Sequence, residues 1–277
     1  ISCITSYTYG GGIRSDSGRC VLSRICAFNC CSTRNGDSYG QFAYINSNIQ
    51  NNVNDSSITH TLKRGTVPRY ALHLYDGNIL CPSVNLTNNK CYDCSALQCY
   101  QTSSCISYSS IVNNTANPGT GCIWLEYSSY CIDTCNILNN YQEYDIGTIF
   151  ADNANLFIKD SCILGNNRRV FYASSSGKIT ISNCTIDDDI FTCSRYTGTV
   201  TANKTIKRTL INILLHIATQ NCDSDYDLYW TVIGNPNVHC EFSCNNKHAM
   251  ICPIRYFEFI FLLTMLHTVA ANDNFYY

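Results

Sequence analysis

Cys135-Asn136-Ile137-Leu138-Asn139-Asn140 and Cys162-Ile163-Leu164-Gly165-Asn166-Asn167 are two copies of one short pattern, a few apolar residues followed by paired asparagines. Earlier copies are Ser47-Asn48-Ile49-Gln50-Asn51-Asn52, Ser83-Val84-Asn85-Leu86-Thr87-Asn88-Asn89 and Ser109-Ser110-Ile111-Val112-Asn113-Asn114. A later one, Asn183-Cys184-Thr185-Ile186-Asp187-Asp188, ends in aspartates. Asn89, Asn114, Asn140 and Asn167 follow one another at nearly even intervals along the chain. The step from Cys162 to Cys184 is a little shorter, and that from Asn52 to Asn89 is longer, one coil plus an insertion. Self-similarity at such a period is the signature of a solenoid, with insertions mapping to loops on one side.

Each unit holds further short apolar runs. Gly121–Leu125 precedes Tyr130–Asp133, Gly147–Ala151 precedes Asn155–Cys162, and Val170–Ala173 precedes Lys178–Cys184. They are brief, β-branched or aromatic, alternating, and bounded by Asn, Gly and Ser, which is the strand pattern. No apolar run at three- and four-residue steps, as a helix requires, lies between Gly40 and Asp189. A strand this short cannot bury its apolar side alone. Coils stacked about 4.8 Å apart pair every strand and join the inward residues into one core. The expected fold is therefore all-β: a right-handed parallel β-helix, or β-solenoid, of about 7–8 coils over residues 1–206. Asn52, Asn89, Asn114, Asn140 and Asn167 are expected to fall above one another at a corner. Asn tolerates the left-handed conformation a sharp corner needs, and its amide can bond its counterpart one coil on.

The composition narrows the function. Charged residues are 14% of the 277, the formal net charge is −2, and there is no basic stripe, so nucleic acid is not an expected partner. Twenty cysteines favour an oxidising compartment with some disulfides, while buried thiols acting as small apolar groups are the alternative. Five sequons, at Asn54, Asn85, Asn113, Asn183 and Asn203, agree with a secretory route and are the glycosylation candidates.

Gly10-Gly11-Gly12-Ile13, Cys20-Val21-Leu22, Ile25-Cys26, Asn29-Cys30 and Gly40-Gln41-Phe42, with the coil signature Ile181-Ser182-Asn183-Cys184-Thr185-Ile186, resemble protist cell-surface β-helix proteins. Their plan is similar to that of polymorphic membrane proteins and to the pectin-lyase-like fold. The resemblance covers roughly residues 10–230 and rests on motifs of low individual specificity. It implies a cell-surface β-helix, a Cys-bearing segment, a membrane anchor and a short tail, with no catalytic residue to carry over.

The repeat stops near Thr205. Residues 207–254 read as a cap and Cys-bearing segment, and 255–277 as an apolar C-terminal tail. Within the tail, 256–271 is a largely apolar run. As a helix it spans about 24 Å, short of the ~30 Å hydrocarbon core, and no Lys or Arg follows to orient it. It is read either as a membrane association segment or as a buried apolar terminus. The localisation expected is cell surface or extracellular.

Candidate chemistry is thin. A glycosidase on this fold needs two carboxylates at defined separation. The acidic cluster Asp187-Asp188-Asp189 sits at the corner where the neighbouring coil supplies Asn166 and Asn167, and reads as a solvated turn. Cys240, Cys244, His248 and Cys252, and the pair Cys91 and Cys94, lack the doubled CxxC spacing of zinc sites, so no metal, cofactor or catalytic residue is assigned. Tyr92, Tyr100, Tyr108, Tyr127, Tyr130, Tyr141 and Tyr144 crowd the middle coils, and outward aromatic rows suit protein or sugar contact. The expected function is non-catalytic: adhesion or ligand binding toward a host-cell or matrix protein or carbohydrate. Contacts would run through the sheet faces and the insertions 51–67 and 91–105. The alternatives are a polysaccharide-active lyase or glycosidase on the same fold, marked by three or more carboxylates on one face, and a structural stalk or gene fragment.

Overall fold

The computed structural model describes residues 5–6, 9–16, 18–33, 37–61, 67–101, 103–117, 119, 121–144, 146–167, 169–187, 194–205, 230–231 and 239–240. The described elements are all strands, and the chain forms a parallel β-solenoid. Each rung contributes one strand to each of three sheets. Sheet one runs from Ile13–Ser15 through Leu72–Tyr75, Cys94–Tyr100, Gly121–Glu126 and Ile149–Asp152 to Ser194–Tyr196, eight strands in all. Sheet two, also of eight, runs from Arg19–Ser23 through Asn78–Pro82, Ser104–Ser107 and Ser129–Asp133 to Thr199–Asn203. Sheet three has seven, from Cys26–Phe28 through Ser110–Val112 and Asn136–Leu138 to Thr185–Ile186. About six turns separate the first and last strands of sheet three. A fourth ladder of three two-residue strands, Lys90–Cys91, Thr115–Ala116 and Tyr141–Gln142, follows the asparagine corner.

The motifs that open the sequence analysis are the strands of sheet three. Asn85, Ser110, Asn136 and Cys162 stand in register. One residue on, Ile58, Leu86, Ile111, Ile137, Ile163 and Ile186 form an inward column. All six lie in the core. At roughly 1.5–3 kcal/mol for each aliphatic side chain taken from water, such columns are the main stabilising term. Tyr130 also points inward and is buried, unlike the outward-facing tyrosines expected around it.

Corners are single residues in the left-handed region. Between sheets two and three these are Arg24, Asp55, Ser83, Tyr108, Thr134, Asp160 and Asn183; after sheet three they are Asn29, His60, Asn88, Asn113, Asn139 and Gly165. In the pairs 88–89, 113–114 and 139–140 the first asparagine turns the chain. The second is buried, and with Asn166 these residues form the ladder Asn89–Asn114–Asn140–Asn166. Asn114 shows the arrangement. Its Oδ1 accepts from the Asn89 backbone N–H and from Asn89 Nδ2, both at 3.0 Å. Its Nδ2 donates back to Leu86 O at 2.9 Å and on to Asn140 Oδ1 at 3.0 Å. Two of the residues expected in the ladder are not in it. Asn52 lies within sheet two opposite Leu80. Asn167 is one place too far: Asn166 holds the ladder position, and Asn167 bonds Gln142 instead. The reason is Gly165, which takes the left-handed turn, φ +64°, so the pair following it plays different roles.

The cysteines are largely core atoms. Cys81, Cys99, Cys122, Cys135 and Cys184 are fully buried thiols. Burial pushes Cys81, Cys122 and Cys135 up to about 12 and Cys184 to about 11, so they stay protonated. Cys26 is disulfide-bonded. The insertions expected as contact loops are mostly strand, since 51–59 and 94–100 belong to the sheets. The cap and tail expected at 207–254 and 255–277 lie outside the described residues, apart from an antiparallel pair of strands at Trp230–Thr231 and His239–Cys240.

Asn114→Ala removes the Oδ1 acceptor of the Asn89 N–H and Asn89 Nδ2, and the Nδ2 donor to Leu86 O and Asn140 Oδ1. It should cost about 3–5 kcal/mol in urea unfolding. Asn113→Gly, at a position with φ +54°, should cost far less than Asn113→Ala, because glycine enters that region freely.

Candidate functional site

In a parallel sheet whose inner residues fill the core, alternate residues point outward, and in-register stacking lines them up as columns along the axis. On sheet one the first outward column is Tyr44, His73, Gln98, Trp124, Phe150 and Tyr172. The second is Asn46, Tyr75, Tyr100, Glu126, Asp152 and Ser174. Strand spacing of about 4.8 Å suits ring stacking, so aromatic register partners face each other. Tyr75 and Tyr100 stack with centroids 4.8 Å apart and planes 11° apart. Tyr44 and His73 stack at 5.0 Å, Trp124 and Phe150 at 5.4 Å, and Phe150 and Tyr172 at 4.9 Å.

A short parallel pair outside the main sheets, Asp37–Tyr39 with Val67–Arg69, brings Tyr39 and Tyr70 onto this face. Tyr70, 4% exposed, lies 5.2 Å from the His73 ring and 6.1 Å, edge-on, from Trp124, and so spans the rung that carries Gln98. Arg69 pairs with Asp93 at 3.0 Å beside it.

The polar atoms under these rings are incompletely satisfied. Gln98, 2% exposed, donates through Nε2 to Glu126 Oε1 at 2.6 Å. His73 Nδ1, Gln98 Oε1 and Trp124 Nε1, on three successive rungs, have no hydrogen-bond partner among the described residues. A buried polar atom without a partner is costly, and three such atoms stand here in one column. Burial pushes the His73 imidazole down to about 3, which keeps it neutral. Burial raises Glu126, 8% exposed, to about 7; the bond from Gln98 opposes this and Asp152 on the next rung adds to it. Asp152 accepts from the Ser174 hydroxyl.

The residues singled out from the sequence lie elsewhere. Asn183 and Asn203 are exposed, and Asn54 and Asn113 are half-buried. Asn85 is 0% exposed and donates to Ser57 Oγ at 3.2 Å, so the folded chain does not present it for glycosylation. Asp187 is exposed and accepts from the Gly165 N–H, while Asp188 and Asp189 lie outside the described residues. Of the tyrosines, Tyr100 and Tyr127 belong to this face; Tyr108, Tyr141 and Tyr144 are exposed elsewhere. Sequence reasoning passed over His73, Gln98, Trp124, Glu126 and Asp152. They share no local motif and meet only through register, each one full coil from the next rung's member. No group of three or more metal-ligating side chains occurs among the described residues.

No family model matches the chain, and no curated protein or solved structure matches it significantly.

Because the Glu126 carboxyl is raised in the folded state from an ordinary 4.5, its contribution to stability is complete below about 4.5 and is lost as pH rises through about 7. Urea midpoints measured from pH 4 to 8 should therefore fall more steeply across that window for the native chain than for Glu126→Gln.

Proposed function

We propose that this chain is a non-catalytic, cell-surface or secreted binding protein of adhesion type that takes a carbohydrate along the outward face of sheet one. The observation that carries the reading is the juxtaposition, on successive rungs, of stacked ring faces with buried polar atoms lacking partners. Ring faces suit the apolar faces of sugars, and polar atoms between them suit hydroxyl groups. The surface setting draws on the resemblance to protist surface β-helix proteins and on the exposed sequons at Asn183 and Asn203. The cysteine density supports it less than composition suggests, since much of it is core. Among the described residues no helix is long and apolar enough to cross a membrane, and 256–271 lies outside them.

A second reading, a glycosidase, is favoured by one observation. Glu126 and Asp152 are register neighbours on one face, and their surroundings differ: Glu126 is raised to about 7 under burial, while Asp152 holds a serine hydroxyl. Pairs of carboxylates in contrasting environments can divide acid and base roles. Against it, the run carries two carboxylates in register rather than three or more.

On a glycan array followed by titration calorimetry, Trp124→Ala and Tyr100→Ala should each weaken a hit about tenfold. Tyr108→Ala, at an exposed corner away from this face, should leave it unchanged. Reducing-sugar release from the bound glycan, abolished by Glu126→Gln and by Asp152→Asn, would replace binding with hydrolysis. Surface biotinylation of the tagged chain in its own cell should label it; a chain found wholly inside the cell defeats the adhesion reading.

A further inference from the structure

The outward column of sheet two carries two thiols in register. Cys105 on Ser104–Ser107 is the Cα partner of Cys131 on Ser129–Asp133. Among the described strand pairs, this is the one place where two cysteines stand opposite each other. Both are half-buried, unlike the cysteines sealed in the core. Burial, and then the neighbouring Cys105 thiol, push the Cys131 thiol up to about 11. Neighbouring parallel strands lie about 4.8 Å apart, inside the 4.4–6.8 Å separation of Cα atoms that a disulfide accepts. On either side the column continues with Leu80 and the exposed Phe157. The Asp133–Lys159 ion pair, 2.8 Å, lies two residues along from Cys131.

We propose that Cys105 and Cys131 form a redox-modifiable dithiol that closes, on oxidation, into a disulfide stapling two successive coils. The oxidant class is a low-molecular-weight disulfide such as oxidised glutathione. One protein thiolate, having lost its proton to solvent, attacks a glutathione sulfur; the glutathione S–S bond breaks and a glutathione thiolate leaves. The second protein thiolate attacks the mixed disulfide at the protein sulfur, forming the Cys105–Cys131 bond and releasing the second glutathione thiolate, which takes up a proton. Two protein thiols are oxidised and one disulfide is reduced to two thiols. The ring closed is one full turn of the solenoid, so the bond ties a rung to the next without crossing the core. The core thiols cannot react this way in the folded chain because they are shielded from solvent and from an oxidant, whereas Cys105 and Cys131 are half-buried. The same face therefore holds its staple in a secretory compartment and releases it under reduction.

The test is a disulfide map of the full chain, folded under reducing conditions, equilibrated with excess oxidised glutathione and then alkylated without unfolding. The expected result is a Cys105–Cys131 cross-linked peptide, reversed by dithiothreitol, with Tm raised by about 5–10 °C. Cys105→Ser or Cys131→Ser should lose the cross-link and the Tm shift, leaving one thiol open to alkylation. The map needs no variant, so the outcome does not hinge on either serine form folding. Both thiols remaining alkylatable, stopping at glutathione adducts, or pairing with other cysteines would each overturn the proposal.

Discussion

Each strand in this chain leaves its backbone N–H and C=O groups pointing along the solenoid axis, and those groups must find partners on the rungs before and after. The demand is continuous and does not lapse at the corners. Arg24 N bonds Asn54 O, Asn113 N bonds Leu138 O, and Asp160 N bonds Ser182 O, each linking a corner residue to the next rung. A rung that returned out of register would break these bonds and turn its apolar residues outward, because side chains alternate with period two. The nearly constant step between register partners through the middle of the chain is what satisfying this constraint looks like in numbering.

Polar groups inside the stack are tolerated where the same repetition supplies partners. The asparagine ladder bonds both along the axis and back to carbonyls. A quieter column does the same beside sheet three. Ser56, Ser109 and Ser161 alternate with Val84, Cys135 and Cys184, and the serine hydroxyls accept from the backbone of the preceding rung at Ile25, Val84 and Cys135. Cysteine fits the intervening positions because it is small and apolar, and its thiol can still lean on a carbonyl, as Cys135 does on Asp133 O at 3.3 Å. Much of the cysteine content thus answers to the width of the interior.

The outer surface inherits the same register. Residues unrelated in sequence become a stripe, and the stripe on sheet one combines rings, neutral His73 and two carboxyls of unlike environment. That on sheet two brings two thiols together. Neither arrangement needs a motif, since a single residue per rung is enough once the rungs align.

The repeat Asn-Ile-Leu-Asn-Asn and its relatives were sufficient to establish strands, a solenoid period and an asparagine corner, because that corner demands a left-handed residue, supplied by one asparagine, and a buried side chain that bonds its copy, supplied by the next. The other corners carry Thr134, Tyr108, Arg24 and Gln101 in the same conformation. Nothing about those residue types announces a turn; the rungs on either side hold them there. The same limit applies to the ladder's last member. Choosing Asn166 over Asn167 requires knowing that Gly165 makes the turn. The face of sheet one was least legible of all. His73, Gln98, Trp124, Glu126 and Asp152 become neighbours only after backbone pairing has fixed which residue stands above which. The sequence by itself determined the period and the inward apolar columns, since these follow from local alternation; only the tertiary stacking decided which outward residues share a surface, since that depends on register between segments distant along the chain.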